Sequence, residues 1–133
     1  MTTKLPIDLT IDANRVVFEH IKNLCAHPDL VDPLIAAVKP LGDVQISYPN
    51  SENCSSVAVS TEGIIFGCVI GMQAIILKLD KQMKERALTT GGSAYLKFGP
   101  EWVAFEPFRC DWPKVDLEFW ARKAYVFVRA TAP

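Results

Sequence analysis

The chain is short of the features that usually announce a function. It has two histidines and four cysteines, Cys25, Cys54, Cys68 and Cys110, with no closely spaced pair among them. A zinc site built on tight local ligand spacing therefore has no obvious footing. No stretch approaches the roughly 18 consecutive apolar residues that a membrane helix needs. The opening "MTTKLPIDLT" has no apolar signal core, so we expect neither secretion nor a membrane partner. The net charge is −1, unlike the basic domains that grip nucleic acid. Neither "GIIFG" nor "TTGGS" completes a dinucleotide or Walker phosphate loop. No cofactor and no metal is expected.

What is present is a globular composition. Half of the 133 residues are hydrophobic and 22% are charged, which is ample for a core and inconsistent with a disordered chain. At this length we expect one domain over 1–133, with 1–11 as a loosely ordered lead-in. Four cysteines would fit two disulfides. Cys68 lies in an apolar run, however, and a chain of this size needs no staples, so we expect reduced thiols and a cytoplasmic protein. Charge is unevenly spread: residues 1–66 carry 4 Lys+Arg against 8 Asp+Glu, and residues 67–133 carry 10 against 7.

Periodicity supplies the elements. Val17, Ile21 and Leu24 recur at helical spacing after Asp12, predicting a capped helix near 13–26. Asp32-Pro33 reads as the start of a second, short helix. The period then changes to two through "DVQISY", "SVAVS", "IIFGCVI" and "AIILKL". Residues 64–70 are apolar on both parities, which predicts a central strand covered on both faces. A two-residue Gly71-Met72 turn would place Cys68 opposite Ile75. "DKQMKERALTT" predicts a helix capped by Asp80 and ended by Gly91-Gly92. The last helix is expected near 115–129. We therefore expect an α+β fold, an antiparallel sheet of about six strands with helices mainly on one face, in the order ααββββαββα.

The stretch "YLKFGPEWVAFEPF" draws the eye, because 10 of the 13 aromatic residues lie within 91–127. If Gly99-Pro100 is a two-residue turn, Leu96 faces Val103 and Ala94 faces Phe105. Leu96, Phe98, Val103 and Phe105 then point to the core. Tyr95, Lys97, Trp102 and Ala104 point away, with Lys97 beside Trp102 for a cation–π contact. Trp102, Lys97, Arg109 and Trp112 thus become candidates for an aromatic-basic contact surface, since aromatic and Arg residues anchor such surfaces. The alternative is that both indoles pack on the core.

Other constellations are weaker. His20, Cys25 and His27 are too few and too loosely spaced for a metal, and a helix-end histidine explains them equally. Cys110, beside Arg109 on a polar loop, is the cysteine best placed for a lowered pKa, which leaves open a small-molecule binder or enzyme with a pocket there. Lys78, Lys81, Lys84 and Arg86 form a basic rim that a solvated face also explains.

"GIIFGCVIGMQAIILKLDKQMKERAL", "EWVAFEPF" and "DLEFWARKAYVFV" together resemble the TfoX N-terminal and YjbR (MmcQ-like) families over residues 56–129. The likeness is one of element order: apolar hairpin, helix, a tryptophan-led strand and a closing helix. It implies a small α+β domain without a catalytic set, in families linked to competence regulation or proposed to bind DNA. Class I type III secretion chaperones share the size and a similar order. The expectation is a non-catalytic domain that binds a protein partner, with nucleic acid as an alternative partner and homodimerisation open.

Overall fold

The computed structural model describes residues 9–22, 24–26, 28–49, 56–71, 74–106 and 116–131. Four helices and six strands follow in the expected order: α1 (Asp12–Ile21), α2 (Pro28–Val38), β1 (Val44–Ser47), β2 (Ala58–Thr61), β3 (Ile64–Ile70), β4 (Ala74–Lys78), α3 (Lys81–Thr89), β5 (Ser93–Ala94), β6 (Trp102–Phe105) and α4 (Leu117–Thr131). The strands form one antiparallel sheet ordered β1-β2-β3-β4-β6-β5. Short turns between consecutive strands make antiparallel pairing the natural outcome.

The sheet is covered on both sides. On one face Phe66, Val69, Ile75, Leu77, Val103 and Phe105 pack under α2 and α4, joined by Ala87 of α3. On the other face Ile65, Cys68, Ile76, Trp102 and Ala104 pack against Val17 and Ile21 of α1. Neighbours along a strand point to opposite faces. The bulge in the β2–β3 pairing at Val59/Ser60 resets that alternation within β3, so that Phe66 and Val69 share one face and Ile65 and Cys68 the other. β3 is therefore apolar throughout because both of its sides are buried, as its sequence predicts.

Local signals hold where they are local. Asp80 caps α3, its Oδ1 accepting the Met83 N–H at 2.7 Å. The helix closes with the Gly92 N–H on the Ala87 carbonyl at 2.8 Å, with Gly91 at φ 109°, a conformation glycine adopts freely. The β2–β3 turn is Glu62-Gly63, with φ of 53° and 79°. Two positive values make it a type I′ hairpin, whose twist suits the flanking strands.

Boundaries set by distant contacts differ from the sequence reading. α1 stops at Ile21, and its first residue is Asp12, while Ile11 occupies the cap position without a side-chain bond. The chain leaves the helix there because Ala26 bridges to Gly71. α2 begins at Pro28, and Pro33 sits inside it. Its buried Leu30, Val31, Leu34, Ala37 and Val38 form one stripe, and that stripe extends the helix back beyond Asp32. Ile70 pairs with Ala74 and Cys68 with Ile76. The β3–β4 turn is thus one residue longer than Gly71-Met72, which moves Ile75 to the opposite face from Cys68.

The final hairpin carries the largest correction. Ala94 pairs with Val103, not Phe105, and the Tyr95 N–H bonds the Trp102 carbonyl at 2.9 Å. The connection is residues 96–101. It lengthens because Phe98 folds inward, 8% exposed, among the rings of Tyr95 and Trp102 at centroid distances of 4.9 and 5.3 Å. Leu96 is expelled and 69% exposed. The register moves by two, so Val103 and Phe105 keep their inward facing. Trp102 keeps its place on the other face, but α1 makes that face a second core.

Candidate functional site

Trp102 is 2% exposed and serves the core, so the expected outward indole is corrected. The residue directly across from it is Lys78 on β4. The Lys78 Nζ lies 5.9 Å from the indole ring and 3.9 Å from Glu101 Oε1. The cation–π contact therefore exists, with Lys78 in place of Lys97. Lys97 is exposed on the 96–101 turn. Arg109, Trp112 and Cys110 lie outside the described residues.

Next to the buried indole is a polar contact between α1 and the last hairpin. The Tyr95 hydroxyl and His20 Nε2 are 3.0 Å apart, and the His20 ring meets Phe98 edge-on at 5.3 Å. Burial, helped by the nearby Lys97 ammonium, holds the His20 pKa below its ordinary value. Burial likewise holds the Tyr95 phenol above its own. Both groups are thus kept neutral near pH 7, in the form that shares a hydrogen bond without a buried charge.

Of the two described cysteines, Cys68 is free and buried, and burial pushes its thiol far up. A thiol held protonated is a poor nucleophile. Cys25 is exposed and disulfide-bonded, which corrects the expectation of reduced thiols at that position. The even cysteine count was the signal for it. His20 is engaged by Tyr95 and Cys25 by a disulfide. Among the described residues, no three His, Cys, Asp or Glu side chains converge as metal ligands would. No helix among them is long and apolar enough to cross a membrane.

The basic residues on and before α3 are divided among separate tasks. Lys78 faces Trp102. Arg86 lies 5.7 Å over the Phe119 ring of α4, with the Lys123 Nζ also 5.3 Å from that ring. Lys81 and Lys84 line an open groove of about 440 Å³ between α3 and the 96–101 turn.

The groove is largely apolar in its lining. Buried Leu79 and exposed Leu88 and Pro100 supply its walls, and Glu85 and Glu101 share its rim with the two lysines. Two bonds hold the turn against the helix end: the Leu79 N–H donates to the Glu101 carbonyl at 2.8 Å, and the Lys84 ammonium donates to the Pro100 carbonyl. Leu88 is 42% exposed on a helix with only Ala87 fully buried. Sequence reasoning passed over Leu88 because a single leucine off a helical stripe carries no signal by itself. Its meaning comes from Leu79 and Pro100 beside it, which only the fold assembles.

Compared with protein-family models, with curated proteins and with solved structures, the chain matches none.

Proposed function

We propose that this domain binds another protein without acting on it chemically, and that the groove between α3 and the 96–101 turn is the contact site. The single observation that supports this reading is the grouping of Leu79, Leu88 and Pro100 in an open depression with charges at its margin. Interfaces are built in this way, from an apolar centre that excludes water and a polar rim that sets orientation. The rim holds Lys81, Lys84, Glu85 and Glu101. This mixture suits a polypeptide of mixed charge better than a polyanion. A non-catalytic role is supported by the chemistry of Cys68 and His20, which sit at the second core away from the groove: a thiol driven toward its protonated form and a histidine bonded to a phenol. The element order is that of the resemblance to the TfoX N-terminal and YjbR-like families, and the proposal places this chain with their small non-catalytic domains.

The proposal moves the contact surface away from Trp102 but keeps the 96–101 turn. Lys97 and Leu96, both exposed there, extend the area that a partner would cover. The test compares three immobilised proteins in extract of the host: wild type, Leu88→Glu and Val126→Glu. Val126, on α4, is 54% exposed and controls for an added surface charge. A protein retained by wild type and by Val126→Glu but lost from Leu88→Glu, with all three equally stable, supports the reading. Equal retention by all three overturns it.

A further inference from the structure

We propose that this protein forms a two-fold homodimer by pairing the β1 strands of two copies edge to edge. The sheet has two ends, and they are not alike. At one end β5 is only Ser93–Ala94, too short to offer a ladder. At the other, β1 presents four residues, Val44–Ser47, and among the described residues it pairs on one side only, with β2. Its pairing with β2 is regular along its whole length, and the bulge of this region lies in the β2–β3 pairing at Val59/Ser60. An unpaired strand of this kind is usually defended by a lysine, a proline, a bulge or a covering helix. β1 has no charge and no proline within it. The principal helix packing falls on β2, β3 and β4 on one face and β3 on the other, so β1 lies at the margin of the helix layer.

The side chains of β1 match their own copy. An antiparallel two-fold pairing centred on Gln45 sets Val44 of one copy opposite Ile46 of the other. Both are half-buried at the margin of the core under α2 and α4, and pairing would cover the remainder of each. Gln45, which is exposed, meets Gln45, and each amide has both a donor and an acceptor to exchange. Asp43, at φ 60°, turns the chain out of the strand before Val44, and its carboxylate lies 3.7 Å from Arg129, while Ser47 is already buried. No like charges meet, and apolar faces apolar, which is the pairing that stabilises adjacent strands. A foreign strand would have to supply this same pattern, whereas a second copy has it by symmetry. The α3 groove lies at the β6–β5 end of the sheet. A dimer would therefore carry two grooves, one at each far end, and the inference stands independently of what the groove binds.

Light-scattering mass across a concentration series tests this. Wild type is expected to approach twice the 14.8 kDa of one chain. Gln45→Lys and Gln45→Glu each place like charges directly opposite across the axis and are expected to weaken dimerisation by about fivefold or more. Mixing the two variants is expected to restore it, since opposite charges then face each other. Hydrogen exchange of wild type gives a measure that needs no variant: amides of Val44–Ser47 should exchange more slowly as concentration rises. A single-chain mass at every concentration overturns the proposal. So does a dimer indifferent to both variants, a failure of the mixture to recover, or exchange at β1 that ignores concentration.

Discussion

The Tyr95 hydroxyl lies 3.0 Å from His20 Nε2, across 75 residues of sequence. This bond ties the last turn of α1 to the final hairpin, beside the ring cluster of Phe98 and Trp102. It is the polar margin of the second core. Its two members titrate on opposite sides of neutrality, and both are held in their neutral forms.

Stability should therefore fall off at both ends of the pH scale through this pair. The native His20 pKa lies below the ordinary value, so between the two values the unfolded chain holds more protons than the native one. Stability is full above about pH 6.5 and declines as the pH falls through the native pKa. Tyr95 is shifted the other way. Its contribution is full below about pH 10 and is lost as the pH rises through the native value. Urea unfolding across pH checks this by difference. His20→Gln should flatten part of the acid decline, and Tyr95→Phe part of the alkaline one. Each should also cost about 0.5–1.5 kcal/mol at neutral pH for the shared bond.

Trp102→Ala should destabilise the whole domain by about 3–5 kcal/mol, the range for a large aromatic removed from a core. Denaturant titration followed by circular dichroism measures it. A variant as stable as wild type would place the indole at the surface after all. Lys97→Ala, on the exposed turn, should change stability by no more than about 0.5 kcal/mol.

Asn14 is fully buried on α1 and grips the β2–β3 hairpin with both ends of its amide. Its Nδ2 donates to the Gly63 carbonyl at 2.6 Å, and its Oδ1 accepts the Ile65 N–H at 2.9 Å. Asn14→Leu leaves those two backbone groups without these partners, and should cost about 2–4 kcal/mol. Thermal unfolding reads this directly. A loss below about 0.5 kcal/mol would mean that water replaces the amide without penalty.

How much of this was legible follows from the range of each signal. The Asp80 cap, the Gly91-Gly92 helix end and the central position of β3 depend on residues within a few positions of one another, and the sequence displays them. The register of the last hairpin does not. It depends on Phe98 finding His20 and Trp102, and His20 belongs to a helix far away in the chain. Alternation correctly separated Trp102 from Val103 and Phe105, but alternation names two faces without saying which is wet. Whether α1 lies on the second face is a question of docking, and the short stripe of Val17 and Ile21 does not answer it. Asn14 stands three residues before Val17 on that stripe, which marks it as a buried polar residue needing partners. Which backbone groups satisfy it emerges only with the fold. The groove was hidden for a similar reason: Leu79 ends a strand, Leu88 ends a helix and Pro100 sits in a turn.

The central claim is that a partner protein meets this domain at Leu88 and the 96–101 turn, while the Trp102 indole is interior. Site-specific photocrosslinking in the native cell tests it most directly, with a photoreactive phenylalanine analogue placed at position 88 and, separately, at position 126. A discrete adduct with one protein from position 88, absent from position 126 and suppressed by Leu96→Glu in the same chain, is the predicted result. No adduct at 88, or the same set of adducts from both positions, would contradict the account.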